Sequence, residues 1–239
     1  MDKKIVIILV ARMGSKRFPG KTLEKIGKYT LLEYTIKRLR LSKLANDLCL
    51  ATTNKDKDNP VAETAKNSGV KVFRGSEEDV LGRFYQASVF MKADIIVEVT
   101  GDCPLIDASL IDKGVEIFLK SKHDCVGIGM NKNYPHGLDF YVLGKGLLSE
   151  MNEKAKTPVE REHIIEYVTS RPKDFNCYYM EAPVELKRPD VRITVDYPQD
   201  LKIVKEIVDS INMKAGAERF NYSAGEIIKE WDKIHAKSK

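Results

Sequence analysis

No apolar run in this chain is long enough to cross a bilayer as a helix, so a membrane-spanning helix is not expected. Charge of one sign is not in excess either. Forty basic residues face 35 acidic ones, and no cluster resembles a nucleic-acid-binding arm, so nucleic acid is not an expected partner. Cysteine is scarce. Cys49, Cys103, Cys125 and Cys177 are isolated, without C-x-x-C spacing, and read as reduced, mostly buried thiols of a cytoplasmic protein. Repeats and low-complexity segments are missing, and the N-terminus offers no small-residue cleavage site of a secretory signal. Two familiar phosphate motifs are also lacking, the G-x-x-x-x-G-K-[ST] loop and the G-x-G-x-x-G of a dinucleotide fold.

What is present is an alternation of strand and helix signals. The run Ile-Val-Ile-Ile-Leu-Val at 5–10 reads as a buried strand of a largely parallel sheet. Residues 31–39 carry apolar groups at helical spacing, and 48–51 is a second short strand. Asn59-Pro60 opens a helix that Gly69 ends, and 70–73 is a strand. Ser76 and Asp79 resemble a capping box for a helix through Met91, and 94–99 is the next strand. Such alternation argues for right-handed β-α-β crossovers in a three-layer α/β/α sandwich with a mainly parallel Rossmann-like sheet. Beyond Tyr134 the expectations are a strand at 136–143, a helix at 158–170, strands at 176–180 and 191–195, a helix at 198–211, and a last helix at 223–234 anchored by Trp231. At 239 residues the chain suits a single domain, with 131–190 as an inserted region that caps the sheet.

The most informative stretch is 11–21, Ala-Arg-Met-Gly-Ser-Lys-Arg-Phe-Pro-Gly-Lys, directly after the first strand. Glycines let backbone N–H groups approach an anion, and Arg12, Lys16, Arg17 and Lys21 neutralise it. In an open α/β sheet, ligands bind outside the carboxyl ends of the strands, where this loop lies. It reads as a triphosphate cradle. Thr100-Gly-Asp-Cys-Pro-Leu-Ile-Asp also follows a strand and puts a carboxylate, Asp102, on a tight turn within reach of a divalent ion, while Asp107 reads as a helix N-cap. Thr194-Val-Asp-Tyr-Pro-Gln-Asp-Leu is a second acidic station, with Asp200 in the first turn of a helix.

These stations resemble the cytidylyltransferases that activate acidic sugars, the CMP-Kdo and CMP-sialic acid synthetase group, and most closely its spore-coat polysaccharide branch, A-R-M-G-S-x-R-[LF]-P-G-K. The resemblance runs through nearly the whole chain, in the family's order. It implies a nucleotide-diphospho-sugar transferase fold, CTP bound by Val10, Ala11, Arg12, Met13, Gly14, Ser15 and Lys21, and magnesium held by Asp102 and Asp196 in segments similar to G-D-x-P-L and V-D-x-P-x-D-L. Two carboxylates plus phosphate oxygens and waters suit magnesium, which seldom takes a full protein cage. Arg74, Gly75 and Ser76 match the branch's R-G-S-x-x-D-V-L-x-R, whose Gly-Ser turn lies against the pyrimidine; Thr52 and Gly101 complete the nucleotide set. Arg83 either reaches the site or pairs with a surface acid.

For the acceptor, His136 and Asp139 in His-Gly-Leu-Asp, and Arg161, Glu162 and His163, resemble the branch's G-L-D-x-E and R-E-H-[VI]-T. The first continues here as Phe-Tyr and the second as Ile-Ile, which leaves the acceptor unnamed. The same residues could be read as a zinc set, but their spacing matches no recognised site, and contacts to a sugar or its carboxylate are the preferred reading. The expected reaction is transfer of CMP from CTP to an acidic sugar or related acceptor with release of pyrophosphate, with Arg12, Lys21, Asp102 and Asp196 as catalytic residues. A homodimer is implied by the resemblance. Two rivals stay open: a nucleotidyltransferase of the same fold using another triphosphate or a phosphate-bearing acceptor, and a non-catalytic nucleotide-binding protein.

Overall fold

The apolar run at 5–10 forms β1 (Ile5–Val10), an interior strand of a seven-stranded sheet. A computed structural model describes residues 3–129 and 133–236, so the first two positions of the expected insertion, 131 and 132, lie outside the described residues. β2 (Lys25–Ile26) and β3 (Tyr29–Thr30) make a small separate ladder, and the main sheet adds β4 (Asp47–Thr53), β5 (Lys71–Gly75), β6 (Ile95–Thr100), β7 (Cys125–Gly127), β8 (Tyr141–Gly144) and β9 (Cys177–Tyr179). Its order is β5-β4-β1-β6-β8-β7-β9. The first four strands in that order are mutually parallel, whereas β8 runs antiparallel to both neighbours. Side chains alternate across β1: Ile5, Ile7 and Leu9 enter one core, Val6 and Ile8 the other.

The first core is covered by α1 (Leu31–Leu39), α2 (Asn59–Asn67), α4 (Ala108–Lys120), α8 (Pro198–Ala215) and α9 (Ala224–Ala236). The second lies under α3 (Val80–Phe90), α5 (Lys145–Lys154) and α7 (Glu166–Thr169), with the short α6 (Pro158–Glu162) beside them. This is the expected three-layer α/β sandwich with a largely parallel sheet.

Several local expectations are corrected. The helix expected at 158–170 is broken: its first half starts at the Thr157–Glu160 capping box, then His163 turns extended (φ −103°, ψ 104°) and ends α6. The strand expected at 191–195 forms a single bridge, Arg192 to His136, although Val191, Ile193 and Val195 are fully buried; the alternation reported burial, not a ladder. The strand expected at 136–143 begins only at Tyr141. Ser76 does not cap α3. Asp79 is the cap, its carboxylate accepting from the Gly82 amide, and Ser76 Oγ merely accepts from the Asp79 amide. Likewise Asp58, not Asn59, precedes α2, and its carboxylate is turned elsewhere. The cysteines are free, but Cys125 and Cys177 stand opposite each other on neighbouring β7 and β9.

Two expected placements at helix starts hold. Asp107 caps α4 through the Ser109 amide and also accepts from the Ala224 amide at the start of α9. Asp200 sits in the first turn of α8. Arg38 on α1 is fully buried and donates to the carbonyls of Leu105, Ile106, Phe220 and Tyr222. Trp231 on α9 is half-buried against the first core.

Candidate functional site

The loop after β1 is laced to itself by its own hydrogen bonds. The Met13 carbonyl accepts from the amides of Ser15 (2.9 Å) and Gly20 (3.1 Å), Ser15 Oγ accepts from the Phe18 amide, and Thr22 Oγ1 donates to the Arg12 carbonyl (2.9 Å). Gly20 is left-handed (φ 77°), which reverses the chain and sends Lys21 back over the sheet. From below, the buried carboxylate of Asp58 accepts the Met13 amide at 2.6 Å and the Thr53 hydroxyl. Asp58 therefore ties the loop to the end of β4.

The two acidic stations meet beside this loop. Asp102 hands its carbonyl to the Val195 amide (2.8 Å) and the Thr194 hydroxyl (3.1 Å), so the turn after β6 and the segment before α8 are stitched together. Lys21 lies between the carboxylates, 3.1 Å from Asp196 Oδ1 and 3.5 Å from Asp102 Oδ2, and donates to the Val195 carbonyl at 2.6 Å. Burial works against ionisation of Asp196, but the hydrogen bonds from Lys21 and Arg192 outweigh it and hold the carboxyl below the usual carboxylate range. Gly101 allows the approach: a Cβ there would sit 2.6 Å from Ala11 Cβ and 3.1 Å from the Val10 carbonyl.

A cavity of about 320 Å³ opens here, lined by Val10, Ala11, Arg12, Gly14, Ser15, Lys21, Gly101, Asp102 and Asp196, together with Glu162 and His163 from α6. A neighbouring cavity of about 660 Å³ shares Arg12, Gly14, Val80 and Glu162 with it and extends past Lys57, Glu77 and Asp79 to Arg161. Arg161 is already bonded to both oxygens of Asp79 and to Asn152, which clamps α6 against the start of α3. Across the larger cavity Glu77 accepts from Lys57 (2.6 Å), and that hydrogen bond lowers the Glu77 carboxyl below its ordinary range.

Other expected residues lie elsewhere. Among the described residues lining these two cavities, Thr52, Arg74, Gly75 and Ser76 do not appear. Thr52 is fully buried, and Arg74 is committed to the carbonyls of Thr53 and Lys55 and to Asn59. Gly75 packs on Arg83, which is neither at the surface nor in the cavities but buried, donating to the Ser76 carbonyl. His136 Nδ1 accepts from Arg192 at 2.7 Å, and Asp139 is half-buried near Glu98. Burial, and then the charges of Asp139 and Asp102, push the Glu98 carboxyl up to about 8. Sequence reasoning missed Asp58, Lys57, Glu77 and Arg192. Only Arg192 carried a signal, its placement four residues ahead of Asp196 in an otherwise apolar segment.

The donor set fits a divalent cation. Two carboxylates already bracket one positive charge, the Lys21 ammonium, and among the described residues no third His, Cys, Asp or Glu joins them in a cluster. Magnesium tolerates such a short protein set because phosphate oxygens and waters fill its remaining positions.

Comparison with known proteins gives the family of the chain. The family model described as cytidylyltransferase matches residues 5–227. An uncharacterised protein of Methanocaldococcus jannaschii is 43% identical over 204 residues, covering 85% of this chain and 83% of the relative. The spore coat polysaccharide biosynthesis protein SpsF of Bacillus subtilis is 33% identical over 229 residues, 94% of this chain and 92% of its own. A solved cytidylyltransferase from Leptospira borgpetersenii serovar Hardjo-bovis superposes with a TM-score of 0.91 at 31% identity, covering 98% of this chain and 96% of that one. The chain belongs to the cytidylyltransferase family and is an enzyme of the nucleotidyltransferase class.

Proposed function

We propose that CTP lies across the two connected cavities, its triphosphate over the loop after β1 and its base and ribose toward Glu77, Asp79 and Val80, and that CMP passes to an acidic sugar. The observation that carries this reading is the meeting of Lys21, Asp102 and Asp196 with Arg12 and Gly14 on one cavity. In the reaction an acceptor oxygen attacks the α-phosphorus in line, the bond to the β-phosphate oxygen breaks, and pyrophosphate leaves. Arg12 and Lys21 meet the charge that builds on the phosphates, in a site whose cations are oriented beforehand. Held by Asp102 and Asp196, magnesium would supply positive charge at the phosphates and order them for attack.

Glu162 and His163 face the same cavity from α6 and are the residues best placed to meet an acceptor. His136 and Asp139 belong to the supporting wall of this reading, within the inserted region 131–190. The reading carries with it a homodimer, implied by the sequence resemblance, and a cytoplasmic location, read from the isolated cysteines. The test is pyrophosphate release from CTP with a panel of sugar acids, run beside ATP, GTP and UTP. Release with CTP and one acid supports the reading; release with another triphosphate alone overturns the choice of base, and a preference for phosphate-bearing acceptors overturns the acceptor class.

A further inference from the structure

The two oxygens of Asp196 are used differently. Oδ1 accepts from Lys21 at 3.1 Å and from Arg17, whereas Oδ2 accepts from Arg192 at 2.7 Å. These three cations are not equivalent. Arg17 has a side chain 54% exposed and also leans on the ring of Tyr197. Lys21 is shared with Asp102.

Arg192 is fixed on every side. Its Nε and Nη2 reach the two oxygens of Asp200 at 3.2 and 3.3 Å, and its Nη1 meets His136 Nδ1 at 2.7 Å. Asp200 is locked in turn by the amides of Asp196 (2.8 Å) and Tyr197 (2.9 Å) at the head of α8. His136 is laced to the same segment, its amide on the Val191 carbonyl and its own carbonyl on the amides of Ile193 and Thr194. Arg192 lines neither cavity among the described residues.

We infer that Arg192 is a positioning residue of the cation site, holding Asp196 by Oδ2 so that Oδ1 stays turned toward Asp102 and the shared positive charge. This rests on the proposed metal pair. A planar guanidinium bridging two carboxylates fixes the plane of each, which a single ammonium cannot do. Oδ1 keeps only exchangeable partners, and Arg17 and Lys21 can transfer to phosphate oxygens when a triphosphate arrives. Oδ2 keeps its partner throughout.

The test uses the full chain as the parent and as Arg192→Ala, Arg192→Lys and Asp196→Asn. Manganese affinity is read by electron paramagnetic resonance with CTP bound, CTP affinity by calorimetry in chelator, and folding by thermal melting. Arg192→Ala is expected to weaken manganese binding by about ten- to a hundred-fold, the usual cost of losing an outer partner of a metal ligand. Metal-free CTP affinity should change less than twofold, since Arg192 touches no cavity. Added guanidinium should restore part of the manganese affinity, and Arg192→Lys should fall between parent and Ala. If Arg192→Ala does not fold, Arg192→Lys carries the same comparison. Unchanged manganese affinity in Asp196→Asn overturns the metal reading itself. If Asp196→Asn loses manganese while the Arg192 variants bind it like the parent, Arg192 only braces α8 and the inference falls.

Discussion

Replacing Lys21 by Ala removes the one charge shared by the two carboxylates, and the structure sets what this costs. The ammonium is held by the Val195 carbonyl at 2.6 Å and Asp196 at 3.1 Å, with Asp102 farther off at 3.5 Å. Hydrogen bonds to charged groups contribute about 1.5–3 kcal/mol each. Asp196 keeps Arg17 and Arg192, however, and the variant no longer desolvates a lysine, so the net destabilisation should be only about 1–2 kcal/mol. For a chain of this size that is a fall in Tm of about 2–8 °C. Activity should suffer more, by about 2–4 kcal/mol in kcat/KM, because a charge contact to the transition state is lost. The pH dependence has a definite sign. Asp196 has a folded pKa below its unfolded value, so its stabilisation is present above the unfolded value, about 3.9, and is lost as pH falls through the folded one. Without Lys21 that depression shrinks. The Tm gap between parent and variant should therefore be widest near neutrality and close below about pH 4. Magnesium without nucleotide should raise the Tm of the variant more than that of the parent, since the ammonium is the metal's competitor. Turnover within a factor of two of the parent, or identical magnesium responses, would refute the reasoning.

Asp102→Asn and Asp196→Asn should each abolish most turnover, and the double variant should lose little more than the worse single one in kcat, since groups acting as a unit are not additive. CTP should be preferred over UTP in kcat/KM, because a site that offers acceptors to the cytosine amino group would leave them unpaired against a uracil carbonyl; equal values would remove the assignment of base. Gly101→Ala forces a Cβ to 2.6 Å from Ala11 Cβ and should cost about 1–3 kcal/mol by thermal melting, while Gly14→Ala meets only the flexible ends of Glu77 and Lys57 and should cost less. Glu98 has a folded pKa raised to about 8, so its contribution to stability is fully present below the unfolded pKa and is lost as pH rises toward 8. Glu98→Gln should remove that loss, raising Tm at pH 8 relative to the parent but not at pH 4; equal shifts at both values would show that burial of the charge is not the cause.

The legible parts of this chain were those where local chemistry and tertiary burial agree. The run at 5–10 and the helix at 31–39, with Thr30 and Glu33 as its capping box, needed no partner to be recognised. So too with the Asp107 cap. Failures came where a distant contact decides. The segment 191–195 has the alternation of a strand because one side faces the core, yet its backbone is divided between His136 and Asp102 and never joins the ladder. The break at His163 has no proline or glycine to announce it. Among the site residues, the loop cations and the two aspartates were readable from motif position. Asp58 was not, since nothing local distinguishes an acid that accepts an amide 45 residues away. Arg74 and Ser76 sat in a recognisable motif but are spent on loop carbonyls and a turn, while Glu77 and Asp79, just beyond them, face the cavity.

The buried Arg38 has a temporal consequence. Its four carbonyl partners lie just after the Asp102 turn and near the end of the chain, in contacts spanning 67 to 184 residues, and Asp107 meets the Ala224 amide across 117. Contacts of such separation form slowly, and synthesis delivers the chain from its N-terminus. While 220–224 are still inside the ribosome, the turn that carries Asp102 lacks its brace, whatever the state of β1 and the loop after it. The chain thus acquires the loop after β1 early and the brace of the Asp102 turn late. A nascent chain ending before Phe220 should bind a triphosphate weakly and respond to magnesium hardly at all.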